Sequence, residues 1–310
     1  MTFISASVLH IEPTIIHIPI DSKRLDVAAD ILQHFPKPYH ILASPTFCYP
    51  DDELISILKY LSIHGNTTFL SCREQQAASL NNLGFDSIFC HHNSFLSSRI
   101  HKYDYNIKKL YNAVYNAQIV PLKRHELSIN VDDILYLSYT EDEQYRKHIL
   151  RQRHKKSTIK QHVQITDIYK YHNSSKVGLC LSYDECGMKA CGEYLLSGLP
   201  VVYTESRYNE RNFFLDHTNS VFCRDDPQEI SDAVKNLCDN YNMLDSNKIR
   251  NDTIARQQIG LNNIKEKIGN ILQKDEKYLK NCWSKSYNNN LLHYDLKMEN
   301  FVRKTYERLC

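Results

Sequence analysis

Residues 176–205, KVGLCLSYDECGMKACGEYLLSGLPVVYTE, gather the groups of this chain best suited to chemistry. Two carboxylates, Glu185 and Glu193, flank Gly187. An ionised carboxylate is an acceptor with two oxygens, so each could hold a pair of hydroxyls. A glycine at a helix start lets bare backbone approach a ligand. The amides of Met188 and Lys189 would then point out of the helix, which suits a phosphate or a sugar hydroxyl. A plainer arrangement uses the same residues. Lys189 and Glu193 can be an i, i+4 pair on a solvated face, with Glu185 favouring the helix N-terminus. Spacing alone leaves both open.

These residues need a strand, a helix and a second strand to position them. Val177 to Ser182 is almost wholly apolar, without the alternation of a half-wet strand, and reads as a buried strand of a parallel sheet. A helix follows from about Met188 to Ser197, with Met188, Cys191 and Leu195 on its sheet-facing side. Gly198 suits the left-handed residue that closes a helix, and Pro200 prevents its continuation into the strand Val201 to Thr204. Such a βαβ unit places its ligand at the carboxyl ends of the strands.

Glu185-x7-Glu193 followed by SGLPVV resembles the signature E-G-x-G-x-x-x-x-E-A-x-A-x-G-x-P-V-V of retaining glycosyltransferases of the GT-B, group 1 type. The departures are Cys186 and Met188 where glycines are usual, and Tyr194 and Leu196 where alanines are usual. The resemblance implies an α/β fold of two Rossmann-like domains with parallel sheets facing across a cleft. Residues 1–104 would form a reduced acceptor-side domain, 105–288 the nucleotide-sugar domain, and 289–310 a helix packing back on the first domain.

Upstream, Ala113 to Ile119 reads as a strand leading into Val120-Pro121-Leu122-Lys123-Arg124-His125-Glu126. This resembles the family's G-R-x-x-x-x-K-G, whose arginine and lysine hold the donor's diphosphate. Lys123 falls on the lysine, Gln118 on the arginine, and Arg124 on the glycine. Apart from the family, Lys123, Arg124 and His125 are a small solvated basic cluster. The resemblance also places a loop at His91, His92 and Asn93 where substrate could touch, and Ser206 in a loop beside the donor. Thr140 with Glu143 reads as a capping box, Gln161 to Thr166 as a strand, and Asp226-Pro227-Gln228-Glu229 as a helix start.

The bulk composition sets bounds. The 310 residues carry 38 Lys and Arg against 36 Asp and Glu, a net +2 too balanced to argue for nucleic acid. Ten cysteines occur without a CxxC pair and read as small reduced core residues. No signal peptide or long apolar run is evident, so a cytoplasmic protein is expected, with peripheral attachment at the inner membrane face left open.

The resemblance implies sugar transfer from a nucleotide-sugar to a glycan or lipid-linked acceptor with retention, and no metal or resident cofactor. Lys123, Arg124 and the amides after Gly187 would stabilise the leaving diphosphate. Glu185 would hold hydroxyls of the donor sugar and Glu193 the ribose diol. A non-catalytic sugar-nucleotide-binding subunit, or a sugar-phosphate epimerase or phosphorylase, are the alternatives.

Overall fold

The computed structural model describes residues 7–11, 14–20, 25, 32, 39–45, 51–139, 141–152, 155–183, 185, 188–206 and 213–273. Contacts divide the chain into two units, Met1–Phe95 with Gln258–Cys310, and Leu96–Gln257. The division falls at Phe95, earlier than the boundary expected near Tyr105, and the expected final helix over 289–310 lies outside the described residues.

In the first unit, strands β1 (Ser7–Ile11), β2 (Thr14–Ile20), β3 (Tyr39–Pro45), β4 (Asn66–Ser71) and β5 (Asp86–Phe89) lie side by side in chain order. β1, which the sequence pattern did not reveal, runs antiparallel to β2, and the other pairings are parallel. Helix α1 (Asp51–His64) places Leu54, Leu58 and Leu61 on one face, where they pack with Ile16, Ile18, Ile41 and Phe69. The alternate strand residues Ile15, Leu42 and Leu70 pack on the other face with Ile264 and Ile268. Both faces are covered, so the strands read as continuous apolar runs. Helix α2 (Glu74–Asn82) joins β4 to β5.

The second unit carries strands β6 (Tyr111–Asn116), β7 (Ile134–Ser138), β8 (Ser157–Gln161), β9 (Ser175–Cys180), β10 (Val201–Tyr203) and β11 (Ser220–Phe222). They form one parallel sheet in the order β11-β10-β9-β6-β7-β8. Helices α3 (Glu143–Gln152), α4 (Ile168–Asn173), α5 (Lys189–Leu196) and α6 (Pro227–Asp239) intervene, and α7 (Ser246–Leu272) follows. β6, β7 and β8 wind outward one way, and β9, β10 and β11 the other. β6 and β9 are neighbours at the point where the order reverses, which is where such sheets bind ligands.

The period-2 alternation divides the core. Ala113, Tyr115, Ile134, Tyr136, Val177 and Leu179 face α6, which contributes Ile230 and Val234. Val114, Leu135, Leu137 and Cys180 face α5, which contributes Cys191, Tyr194 and Leu195. Helix α6 starts as its sequence predicts, with the Asp226 carboxylate accepting from the amides of Gln228 and Glu229. Helix α5 ends at Gly198 with φ +73°, where the amides of Gly198 and Leu199 return to the carbonyls of Leu195 and Tyr194.

One expectation is corrected, and another meets the edge of the described residues. At the head of α3 the Asp142 carboxylate accepts from the amides of Gln144 and Tyr145, while Thr140 of the expected capping box lies outside the described residues. The third strand is Ser157–Gln161, not Gln161 to Thr166, because His162 turns to φ +52° and ends the extended run. The six described free cysteines are buried or half-buried, as a core role requires.

The bulky Tyr194 has a counterpart in β9. A methyl added at Gly178 would stand 2.3 Å from the Tyr194 ring, so only glycine permits this helix–sheet approach. Gly178→Ala should therefore lower the free energy of unfolding by about 1–3 kcal/mol, read from the urea midpoint. Unaltered stability would show that the ring does not pack on this strand.

Candidate functional site

At the carboxyl end of β9, the Lys123 ammonium meets the Glu185 carboxylate. Lys123 reaches this place because β6 ends at Asn116 and the chain folds over into a 3-10 turn, Pro121–Lys123. The side chains are 13% and 29% exposed, so the pair is largely shielded from water without being sealed. Burial pulls the Lys123 ammonium down to about 8, with the nearby Cys180 opposing.

Glu193 lies one strand across. Its Oε2 accepts from Asn116 Nδ2 at 2.7 Å, where β6 ends, and its Oε1 stands 4.0 Å from His101 Nε2. Burial pushes the Glu193 carboxyl up to about 7, with Lys189 and the Asn116 amide opposing. His101 is driven down to about 3 by burial and by the nearby Lys189 and Arg250, so its ring is neutral and the contact is not an ion pair. Glu193 is buried while Lys189 is exposed, which removes the solvated-face alternative for Glu193. The buried thiol of Cys180, the last residue of β9, is within electrostatic range of both Lys123 and Glu193. The lysine and the second carboxylate therefore flank one strand end.

Arg124 is a correction. Its Nε donates to Leu181 O at 2.7 Å, one terminal nitrogen to Asp225 Oδ2 at 2.6 Å, and the other to Thr204 Oγ1 at 2.7 Å. The guanidinium ties the ends of β9 and β10 to Asp225, and with a longer contact to Glu205 O these bonds use four of its five N–H donors. Its backbone sits at φ +49°, the left-handed region, at a cost of about 1 kcal/mol for a non-glycine residue. That geometry accounts for the glycine in the pattern it resembles, and the guanidinium bonds offset the strain here. His125 is 1% exposed, so this segment is no solvated basic cluster.

The remaining candidates disperse. Gln118 is half-buried in the loop after β6. Met188 packs against the α5 face of the core. Gly187 lies outside the described residues. Ser206 Oγ donates to the carbonyls of Tyr183 and Glu185, fastening the two loops beside β9 and β10. His91, His92 and Asn93 belong to the first unit. His91 and Asn93 are buried, and His91 Nδ1 accepts from the Asn93 amide. His92 Nδ1 lies 3.3 Å from Cys72 Sγ. An open hollow of about 570 Å³ is lined by Pro121, Leu122, Arg124, Tyr183, Glu205 and Asp225. It lies on the Arg124 side, and Lys123, Glu185 and Glu193 are not among its lining residues.

Asn116, and the bonding role of Tyr194, escaped the sequence reading. The Tyr194 hydroxyl accepts the Asn116 amide at 2.5 Å, so α5 carries both groups that hold the end of β6. A polar residue ending an apolar strand at the reversal of strand order was the available signal.

No protein-family model and no curated protein sequence matches the chain. Solved structures do. HepE of Anabaena superposes with TM-score 0.59 at 12% identity, covering 82% of this chain and 77% of HepE. Sucrose-phosphate synthase of Thermosynechococcus elongatus gives 0.55 at 12%, covering 79% and 69%. TarM gives 0.55 at 19%, covering 73% of this chain and 49% of TarM. The fold is GT-B. This GT-B chain spans about half the length of TarM. Among its described residues no group of three or more His, Cys, Asp or Glu is placed to hold a metal ion, and no helix is long and apolar enough to cross a membrane.

The raised Glu193 carboxyl has a signed consequence. The folded protein holds a proton there between pH 4.5 and about 7 that the unfolded chain has released, so stability falls as pH rises through this window. Relative to wild type, Glu193→Gln should gain about 3 kcal/mol between the two ends of it. Urea midpoints of both proteins across the window check this, and parallel curves would place the carboxyl in water.

Proposed function

We propose that this chain is a glycosyltransferase that moves a sugar from a nucleotide-sugar donor to a glycan or lipid-linked acceptor, with retention at the anomeric carbon. The observation that carries the proposal is the pairing of Lys123 with Glu185 beyond the end of β9, together with Glu193 of α5 bonded to Asn116 at the end of β6, where the strand order reverses. Support comes from the ligands of two proteins that share the fold: HepE with UDP and with UDP-glucose, and S. aureus TarM with UDP, fondaparinux and α-GlcNAc-glycerol.

In this reading the bond between the anomeric carbon and the diphosphate oxygen breaks with its electron pair leaving on the diphosphate. The acceptor hydroxyl oxygen bonds to that carbon, and its proton passes to the departing diphosphate. Charge grows on the phosphate oxygens as the bond lengthens, so a fixed cation stabilises the transition state more than the bound donor. Lys123 supplies that cation. The first amides of α5 add partial positive charge at the same strand end. Glu185, already turned to Lys123, would accept hydroxyls of the donor sugar and keep the lysine aimed. Glu193 would accept the ribose diol, with Asn116 fixing one of its oxygens. Arg124 serves by holding the turn. The donor is a substrate, and the reading calls for no resident metal or cofactor. Action at the inner face of a membrane would suit a lipid-linked acceptor.

A panel of nucleotide-sugars, followed by thermal shift and slow donor hydrolysis, tests the reading. A stabilising nucleotide-sugar that is also hydrolysed is the expected result. Binding without hydrolysis would reduce the chain to a sugar-nucleotide-binding subunit, and no binding would remove the assignment. Glu193→Ala should weaken nucleotide binding, and Lys123→Ala should cut transfer more than tenfold, at least about 1.4 kcal/mol of transition-state stabilisation. Wild-type turnover in both variants would defeat the site.

A further inference from the structure

The segment from Pro121 to Ser128 rests on an aromatic cage. His125 is 1% exposed, and the rings of Tyr115, Tyr136 and Tyr145 surround it at centroid distances of 4.6, 5.4 and 6.1 Å. The three tyrosines come from three elements, β6, β7 and α3. Each hydroxyl is bonded to a different point of the segment. Tyr115 donates to the Lys123 carbonyl. Tyr145 donates to the Glu126 carboxylate and accepts the His125 amide at 2.8 Å. Tyr136 meets Ser128 Oγ at 2.8 Å, and Ser128 in turn donates to the His125 carbonyl at 2.7 Å.

Ordinary core packing does not require this. Among the described residues neither ring nitrogen of His125 has a hydrogen-bond partner, although both are buried, and a phenyl ring would avoid that cost. The residue between Lys123 and His125 is held in the left-handed region without being glycine. A segment strained at one residue and pinned at four others by three tyrosine hydroxyls has a fixed conformation, and the lysine projects from it.

We propose that Tyr115 and His125 are positioning residues, whose cage aims the Lys123 ammonium at the leaving diphosphate. Tyr115 acts through the Lys123 carbonyl, and His125 acts as the spacer that keeps the tyrosine rings apart. The proposal rests on the reading of Lys123 given above.

Inorganic pyrophosphate is the probe, with binding measured by calorimetry on wild type, Tyr115→Phe, Tyr145→Phe, Lys123→Met and Val234→Ala. The last trims the core beneath α6 and controls for general destabilisation. A second readout is the pH midpoint for labelling of Lys123 by an amine-reactive reagent, located by mass spectrometry. Tyr115→Phe should weaken pyrophosphate about fivefold, the loss of one hydrogen bond's restraint. It should also move the labelling midpoint upward, as the lysine swings into water. Tyr145→Phe, at a half-buried tyrosine, should do the same to a smaller degree and stands in if Tyr115→Phe does not fold. If Lys123→Met weakens pyrophosphate while both tyrosine variants match Val234→Ala in affinity and midpoint, the cage proposal is overturned and the donor reading survives. If wild type ignores pyrophosphate, or Lys123→Met binds it as wild type does, the donor reading fails. The labelling midpoint then decides whether the cage holds the lysine.

Discussion

A lysine and a glutamate joined where little water reaches them are the constraint around which the second unit is arranged. Neither charge can be buried alone without a cost of several kcal/mol, so each makes the other's position tolerable. The pair joins the loop after β6 to the loop after β9. These strands are neighbours whose onward connections run in opposite directions, so no crossover covers the ground between their ends. The groups that gather there are those the apolar sheet cannot take inside. They are the Asn116 amide, the Glu193 carboxyl, and the Lys123 and Glu185 charges.

Departures from the family pattern appear at first to weaken the resemblance, and the structure supplies their compensations. Tyr194, where an alanine is usual, lies over Gly178, and its hydroxyl takes the backbone amide at the end of β6. Arg124 occupies a left-handed position that glycine would fill without strain, and binds Leu181, Asp225 and Thr204. In both places a larger side chain replaces a small one and adds hydrogen bonds that the small residue cannot make. Gly178 and Tyr194 are the clearer case, since the space for one exists only because the other lacks a side chain.

Much of the fold was legible because it rests on local signals. The strand Thr14–Ile20, the helices Asp51–His64 and Ile168–Asn173, and the Asp226 cap follow from apolar runs, 3.6-residue spacing and capping chemistry. Edge elements were less legible. β1 and β8 pair with one neighbour each, and Ser157–Gln161 has only half-buried and exposed residues, so hydrophobic pattern marks it weakly. At the site, residue type singled out Glu185, Glu193 and Lys123 as candidates, but could not show which side chains were already bonded within the protein. Arg124 has the composition of a phosphate ligand and the surroundings of a structural tie. Asn116 drew no notice because its partners, Glu193 and Tyr194, are remote in sequence.

Burial holds the Glu193 carboxyl away from the charge state that water favours, and this bears on how a ligand could be held. Glu193 is buried with one oxygen bonded to an amide and the other facing a neutral imidazole 4.0 Å away, an arrangement that favours the protonated acid. A ligand offering two adjacent hydroxyls would donate to that carboxyl and favour the anion instead, releasing a proton near neutral pH. Lys123 already has the Glu185 carboxylate beside it, so a diphosphate arriving there would share or replace that pairing. On the proposed reading, a ligand carrying a diol at one end and a diphosphate at the other would meet both groups, and a diol or a phosphate alone only one. The burial that shifts Glu193 would then also bear on which ligand these residues take.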